Sequence, residues 1–404
     1  MAFKLWTRLT ALSLLFLLVL GSSPLVLQKA NGAEKREVGM SAGDSFAIVL
    51  QSDGTVWGWG SNAAGQLATG QISKKASALP IQIKGIKSIN KIVAGGSHAF
   101  AMANGKVWGW GLNHSGQVGI DSRAEYIMQP TLIPQLKDVV SISGGNSYNL
   151  ALTKKGAVLA WGDNTSGQLG TGNNKLSREP VEVPGLTHVI SIYAGNKTSY
   201  AIRDDGTLWA WGDNSGYQLA DGTKTNRNKP LQVKNISSVQ QVASGSSPHT
   251  VVLKKDGTVW TWGVNGSGQL GNGGVSAVQV QKSPARVQGI SGVVKVAASK
   301  GNTLALTKNG AVYIWGGNEI GQSGGGKSSR TTPFHFPGLT GVVDVAASSS
   351  RSFYALDTNG YVWAWGDNVN GMIGNGMETI IDPKNPAKIV TNHNQTSAYR
   401  VMKL

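Results

Sequence analysis

The chain of 404 residues contains no cysteine. That absence excludes disulfide staples, a thiol for lipid attachment, a cysteine nucleophile and a thiolate metal site. Acidic residues are also scarce, 21 against 37 basic ones, so the chain carries a net charge of +16 although charged residues make up only 14% of it. The six histidines, His98, His114, His188, His249, His335 and His393, show no metal-ligand spacing and form no His-x-x-x-His pair. Neither a metal nor a cofactor is expected. No long run has helical periodicity inside the body of the chain. Long apolar runs are missing too, apart from Leu9 to Leu20, which follows Lys4 and Arg8 and precedes small residues at Ala30 to Ala33. This is the layout of a secretory signal peptide over residues 1–33. The alternative is a retained anchor, for which about twelve apolar residues fall short of a membrane span. Without Lys4, Arg8 and Lys29 the remainder holds 34 basic against 21 acidic residues, a net charge of +13.

What is abundant is tryptophan in one phrase. Twelve of the thirteen tryptophans fall in seven copies: VWGWGSN at Val56, VWGWGLN at Val107, VLAWGDN at Val158, LWAWGDN at Leu208, VWTWGVN at Val259, VYIWGGN at Val312 and VWAWGDN at Val362. The anchoring residues are Trp59, Trp110, Trp161, Trp211, Trp262, Trp315 and Trp365, at gaps of 51, 51, 50, 51, 53 and 50 residues. A period of that length marks one supersecondary unit copied along the chain. Before each phrase stands a pair such as Asp53-Gly54 or Asn104-Gly105, which predicts a type I′ hairpin. Two apolar strands precede that turn. After the tryptophan strand come a Gly-Gln-Leu loop and a proline (Pro80, Pro130, Pro180, Pro230, Pro284, Pro333, Pro386), read as opening a short fourth strand at a sheet edge.

Side chains alternate along a strand, so Trp57 and Trp59 share one face while Val56 and Gly58 share the other. The Gly58 position is mostly small elsewhere: Gly109, Ala160, Ala210, Thr261, Ile314 and Ala364. The indole face of one sheet can therefore sit against the small-residue face of the next. Such head-to-tail contacts either close or run on as a fibre. Seven copies without strong caps predict closure, giving an all-β fold: a seven-bladed β-propeller of four-stranded antiparallel blades over residues 34–390. The tail, residues 391–404, is read as a ring-closing strand from Ala398 that fastens the last blade to the first near Arg36 to Ala42.

Candidate chemistry is thin. Gly321 to Ser328 reads GQSGGGKS, a formal phosphate-loop match, but two prolines and β-branched residues follow where that chemistry needs a helix. Asp163, Asp213 and Asp367 recur at one repeat position and are read as partners of loop amides or cations, not as an acid–base pair. SDGTVW at Ser52 to Trp57 only faintly suggests the Asp-box of sialidase propellers, its Gly-to-Trp spacing being different. No catalytic constellation emerges, and the chain is read as not an enzyme. The richer signal lies between the Gly-Gln-Leu loop and the proline, where every copy carries cations: Lys74 and Lys75, Arg123, Lys175 and Arg178, Lys224, Arg227 and Lys229, Lys282, Lys327 and Arg330, and Lys384. In a ring of equal blades these form a basic circlet able to dock an anionic surface, or else serve solubility.

The pattern V-x-x-I/V-A-x-G-x-x-x-x-x-A-L-x-x-D/N-G-x-V-W-x-W-G-x-N-x-x-G-Q-L-G, followed by P-x-x-V, resembles the repeat of the regulator of chromosome condensation family across all seven copies. The resemblance implies a seven-bladed propeller. Its founder is a nuclear exchange factor for a Ran-type GTPase that binds nucleosomes; other members are secreted bacterial proteins, one of them an inhibitor of β-lactamases. Here the near-equal gaps leave no room for a long blade insertion, and the family's inner-strand histidine stands only at His98 and His249, with Phe46, Tyr148, Thr198, Asn302 and Ser352 at the matching places. The expectation is a secreted, extracellular or wall-associated monomer, non-catalytic and without a membrane span once the signal is removed. Its blade loops bind an extracellular protein or an anionic wall polymer rather than nucleic acid. The alternatives are guanine nucleotide exchange, as in the founder, or inhibition of an extracellular enzyme such as a β-lactamase.

Overall fold

A computed structural model describes residues 38–274, 280–382 and 385–404. The proposed signal segment and Lys384 lie outside the described residues. Within them the regular structure is all strand, in seven four-stranded antiparallel sheets. The first sheet holds Gly39–Ala42, Phe46–Leu50, Val56–Asn62 and Ser73–Ile83 in chain order. The next five repeat that order. The first strand of each blade touches the first strand of the next, and Val342–Ala347 of the seventh blade touches Gly39–Ala42 of the first. The sheets therefore close into a ring with their first strands innermost, a seven-bladed propeller.

The hairpin between the second and third strands differs from the type I′ expectation. Only Asn104-Gly105 has both residues in the left-handed region, at φ 50 and 71°. At the other six turns the glycine alone is left-handed, as at Gly54 (φ 84°), where Gly54 N–H donates to Gln51 O and Gln51 N–H to Thr55 O. This is a type I turn with a G1 bulge. The reason lies in the side chains. Asp53 Oδ1 accepts from Thr55 N–H at 2.8 Å and from its hydroxyl at 2.7 Å, and Trp57 Nε1 donates to the Thr55 hydroxyl at 3.2 Å. Asp205-Thr207-Trp209 and Asp256-Thr258-Trp260 repeat the relay. An aspartate capping the turn this way holds a longer loop than a two-residue one.

The prolines sit inside the outer strands, not at their first residue: Pro180 is the fourth residue of Ser177–Glu182. The register against the tryptophan strand slips there, between Ala160 and Gly162. An outer-edge bulge needs no proline N–H. In the seventh repeat Pro386 lies in Asn385–Thr391, which pairs with Ile380–Asp382 as a separate hairpin. The fourth strand of that blade is instead Gln395–Lys403, paired with Tyr361–Gly366. The tail thus completes its own blade, and among the described residues it forms no ladder with the first. It still helps seal the closing seam, where Val401, Met402 and Leu404 pack with Val38, Trp59 and Met372.

All seven anchor indoles are fully buried. Each packs on the preceding blade's small-residue face, as Trp211 does with Ala160 and Leu169, and Trp262 with Ala210 and Leu219. Each of six also donates its Nε1–H to a main-chain carbonyl of the preceding blade: Trp110 to Gln66, Trp161 to Gln117, Trp211 to Gln168, Trp262 to Gln218 and Trp315 to Gln269, at 2.8 to 3.0 Å. Trp59 closes the circle onto Met372 O at 2.8 Å. Trp365 Nε1 finds no acceptor among the described residues, and its ring is packed by Phe336 and Phe353 instead. Removal of the indole N–H should therefore cost about 1 kcal/mol more at one site than at the other. Trp161→Phe is expected to lower the urea midpoint, followed by circular dichroism, more than Trp365→Phe does; equal losses would show that the indole bond adds nothing to the seam.

Candidate functional site

The connection between the third and outer strands repeats one Asn-centred plan in all seven blades, joined in the first six by a capping Gln that is Met372 in the seventh. In the third blade Asn164 Oδ1 accepts from Leu169 N–H at 2.9 Å, and its amide donates to the Asn173 and Lys175 carbonyls. Gln168 Oε1 accepts from Ser166 N–H at 2.8 Å. Both side chains are buried, so the Asn-x-x-Gly-Gln-Leu segment is a hydrogen-bonded unit rather than a loose loop. Asp163 takes Thr165 N–H and hydroxyl and the Gln168 amide, with Lys197 Nζ at 3.7 Å. Asp213 takes the matching Ser215 and Gln218 groups, and Asp367 the Val369 N–H. These recurring carboxylates are loop caps, in line with their reading from the sequence. Gly321 to Ser328 is likewise the sixth copy of this loop, with no helix after it.

The ring geometry brings the predicted cations of the first six blades to the same end, because each of those within the described residues lies in this connection or in the outer strand that follows. They divide into two sets. Three arginines are spent on the fold. Arg178 reaches back across a seam to Asn113 O and His114 O. Arg227 grips Asp221 Oδ2 with Nε at 2.9 Å and Nη2 at 2.6 Å. Arg330 stacks on Phe334 and donates to Gly324 O and Gly325 O. Burial pushes the Asp221 carboxyl up, but hydrogen bonds from Thr223, Arg227 and Asn214 outweigh it and leave the group below its usual range. Lys74, Lys75, Arg123, Lys175, Lys224, Lys229, Lys282 and Lys327 are exposed, and among the described residues none of them takes part in an ion pair. A polar groove of about 430 Å³ opens among them, lined by Ser166, Asn174, Asn226, Arg227, Asn228 and Lys229 where the third and fourth blades meet.

One residue of this face was missed by repeat reading. The loop position held by Gly65, Gly116, Gly167, Gly268, Gly321 and Gly371 is Tyr217 in the fourth blade, at φ 64°. A bulky residue there costs about 1–2 kcal/mol. Space is short as well: a Cβ at Gly167 would stand 2.7 Å from Asn228 Cα of the following blade. The signal was present, since SGYQL at Ser215 to Leu219 stands where the third blade has TSGQL at Thr165 to Leu169. Tyr217 is half-buried, with Lys224 Nζ at 5.4 Å and Lys282 Nζ at 5.1 Å from its ring centroid.

Unlike polar residues from different blades meet at the innermost strands. Lys295 and Asp344 form a buried ion pair between the sixth and seventh blades, and Gln241 brackets Val296 through its N–H and carbonyl. All three groups are consumed in seams. His98 and His249 are fully buried too, bonded through Nε2 to Asn149 Oδ1 at 2.7 Å and through Nδ1 to Ser247 O at 3.1 Å. Burial pushes both imidazoles down to about 4, against the weaker upward pull of those bonds. The unfolded chain then binds more protons than the folded one between about pH 4 and 6.5, so stability is full above 6.5 and drains as pH falls through that window, by on the order of 3 kcal/mol per histidine. Placing the residues of sister blades at these sites, His98→Tyr with His249→Asn, should flatten the urea midpoint between those limits; an unchanged slope would assign the acid sensitivity to carboxylates.

The RCC1-like domain family matches residues 21–248, and the regulator of chromosome condensation (RCC1) repeat matches 256–306. A second RCC1 repeat family matches 239–269, 293–322 and 342–371. The human E3 ubiquitin-protein ligase HERC2 is 31% identical over 320 residues, 76% of this chain and 7% of that protein. Protein pim1 of Schizosaccharomyces pombe is 37% identical over 145 residues, 34% of this chain and 27% of that one. The chain thus spans only a small part of such curated relatives. Among solved structures, Prp20p of Saccharomyces cerevisiae superposes with a TM-score of 0.73 at 22% identity, covering 85% of both chains. Human WBSCR16 gives 0.70 at 22% identity over 82% of this chain and 86% of the other. The two structures agree in fold, and the domain and repeat matches establish that the chain belongs to the RCC1-repeat family.

Proposed function

We propose that this chain is an exported, non-catalytic interaction module that docks a negatively charged partner on the loop end of its propeller. The observation that carries this reading is the set of exposed cations on the matching connections and outer strands of six blades, without carboxylate partners among the described residues, held on loops stiffened by buried Asn and Gln side chains. Cations so placed sum into a field that steers an anionic surface and weakens with salt. Groups suited to acid–base work are already engaged: His98 and His249 as neutral core residues, Asp163 and Asp213 as loop caps. Relatives support docking as the general use of the fold. The solved Prp20p is described with binding properties to Gsp1p and histones, and a further structure holds Kap60 bound to yeast RCC1. Export of the chain through residues 1–33 turns this end toward an extracellular protein or wall polymer. The full chain should be retained by isolated cell walls at about 50 mM salt and released by about 500 mM, across which the Debye length shortens severalfold. Replacing the eight exposed cations by glutamine should abolish retention without altering the circular dichroism spectrum; retention indifferent to both salt and substitution would refute the electrostatic docking face.

A further inference from the structure

The seven-fold regularity provides an internal control for each loop, and two neighbouring seams differ at matching positions. Between the third and fourth blades, Asn174 and Asn228 face each other and share a hydrogen bond at 3.3 Å. Between the fourth and fifth, the register places Lys224 where Asn174 stands and Lys282 where Asn228 stands, since Gly212 pairs with Arg227 and Gly263 with Gln281. A neutral pair has become two ammonium groups, and the loop glycine beside them has become Tyr217, whose ring is their common neighbour. Among the described residues neither ammonium has a carboxylate partner; the near acid, Asp221, is taken by Arg227. Two like charges thus meet at the one copy of this loop position where a left-handed aromatic residue replaces glycine. Backbone strain of this sort persists at sites where a ligand uses it.

We propose that Tyr217, Lys224 and Lys282 form a binding site for an acidic oligosaccharide, with the asparagine-lined groove of the adjacent seam as its continuation. The aromatic ring offers an apolar surface for the C–H face of a sugar ring, and the two ammonium groups beside it can receive anionic substituents. The neighbouring groove supplies three side-chain amides, Asn174, Asn226 and Asn228, with Ser166 and Lys229. Amides donate and accept at once, which suits hydroxyl groups. Both sites border one stretch of the fourth blade, with Lys224 in the first and Asn226 to Lys229 in the second. A ligand with an anionic group on one unit and hydroxyls on the next would span them. An acidic peptide would satisfy the lysines but leave most of the amide groove unused.

The inference rests on the reading of this end as the docking face. The full chain is to be titrated calorimetrically at about 50 mM salt with oligogalacturonate, with a phosphorylated mannan oligomer and with polyglutamate. The expected result is that one of the two saccharides binds more tightly than polyglutamate, the carboxylate and phosphate arms deciding which anion is preferred. Tyr217→Gly restores the residue of the other six loops, so its melting temperature should not fall, yet saccharide affinity should drop by roughly tenfold, as should that of Lys224→Gln with Lys282→Gln. If Tyr217→Gly binds as tightly as the parent, the site is wrong while the docking face stands. Preference for polyglutamate would overturn the saccharide assignment. Should the parent bind none of the three while cell walls still retain it in low salt, this inference alone fails; loss of wall retention as well would remove the docking face with it.

Discussion

The structure depends on one repeated contact: a buried indole that fills the small-residue face of the preceding blade and, in five of the seven seams, bonds its N–H to that blade's Gln carbonyl. A four-stranded sheet has two faces and cannot cover both by itself, so a blade is stable only between two others. That requirement makes the ring rather than the blade the folding unit, and it makes the seam between the last repeat and the first the decisive one. Trp59 bonded to Met372 O, Tyr354 hydroxyl donating to the same carbonyl, and Ser349 N–H reaching Gly43 O all fall on that seam. Among the described residues, closure uses no strand exchanged between blades. The chain ends by supplying the outer strand of its own seventh blade, and that strand's apolar residues then pack across to the first.

The same carbonyl that accepts the indole belongs to the loop that faces outward, so core and surface are mechanically joined. Gln168 illustrates this. Its main-chain oxygen holds Trp211 and Ser199 of the next blade, its side-chain carbonyl caps Ser166 N–H, and its amide reaches Asp163. A loop so tied cannot move without opening the seam beneath it. Residues added on top, such as Lys175 or Lys224, therefore project from a rigid rim, an arrangement suited to recognition by a fixed pattern of charge.

Period, strand alternation and the small residue opposite each tryptophan were enough to read the closed seven-bladed ring from the chain alone, because each is a local consequence of packing repeated seven times. What escaped reading was set by exceptions to the repeat. Asp53-Gly54 looks like a two-residue turn until the aspartate side chain is seen capping Thr55 and, through it, Trp57. Pro386 matches the other prolines by spacing, yet the chain after it has a second strand to offer, and Gln395–Lys403 takes the edge. Sequence showed where cations recur along the chain, but it could not tell that Arg178, Arg227 and Arg330 answer to partners inside the fold. A guanidinium with several donors in a fixed fork finds carbonyls and carboxylates that a lysine leaves alone.

Symmetry gives a way to separate use from structure in a protein of this kind. When seven positions experience nearly the same surroundings, the residue that suits those surroundings recurs, and a departure needs a cause outside the repeat. Trp365, without an acceptor but enclosed by Phe336 and Phe353, is a departure answered within the core. Lys295 with Asp344 is another, each answering the other across a seam. Tyr217 is different in kind. Its ring gathers two cations that have no carboxylate partner among the described residues, and its backbone sits where six sister loops keep glycine. A ligand that is negative and flat enough to lie on the ring answers both departures at once, which is why this corner, and not Trp365 or Lys295, is the one assigned to recognition.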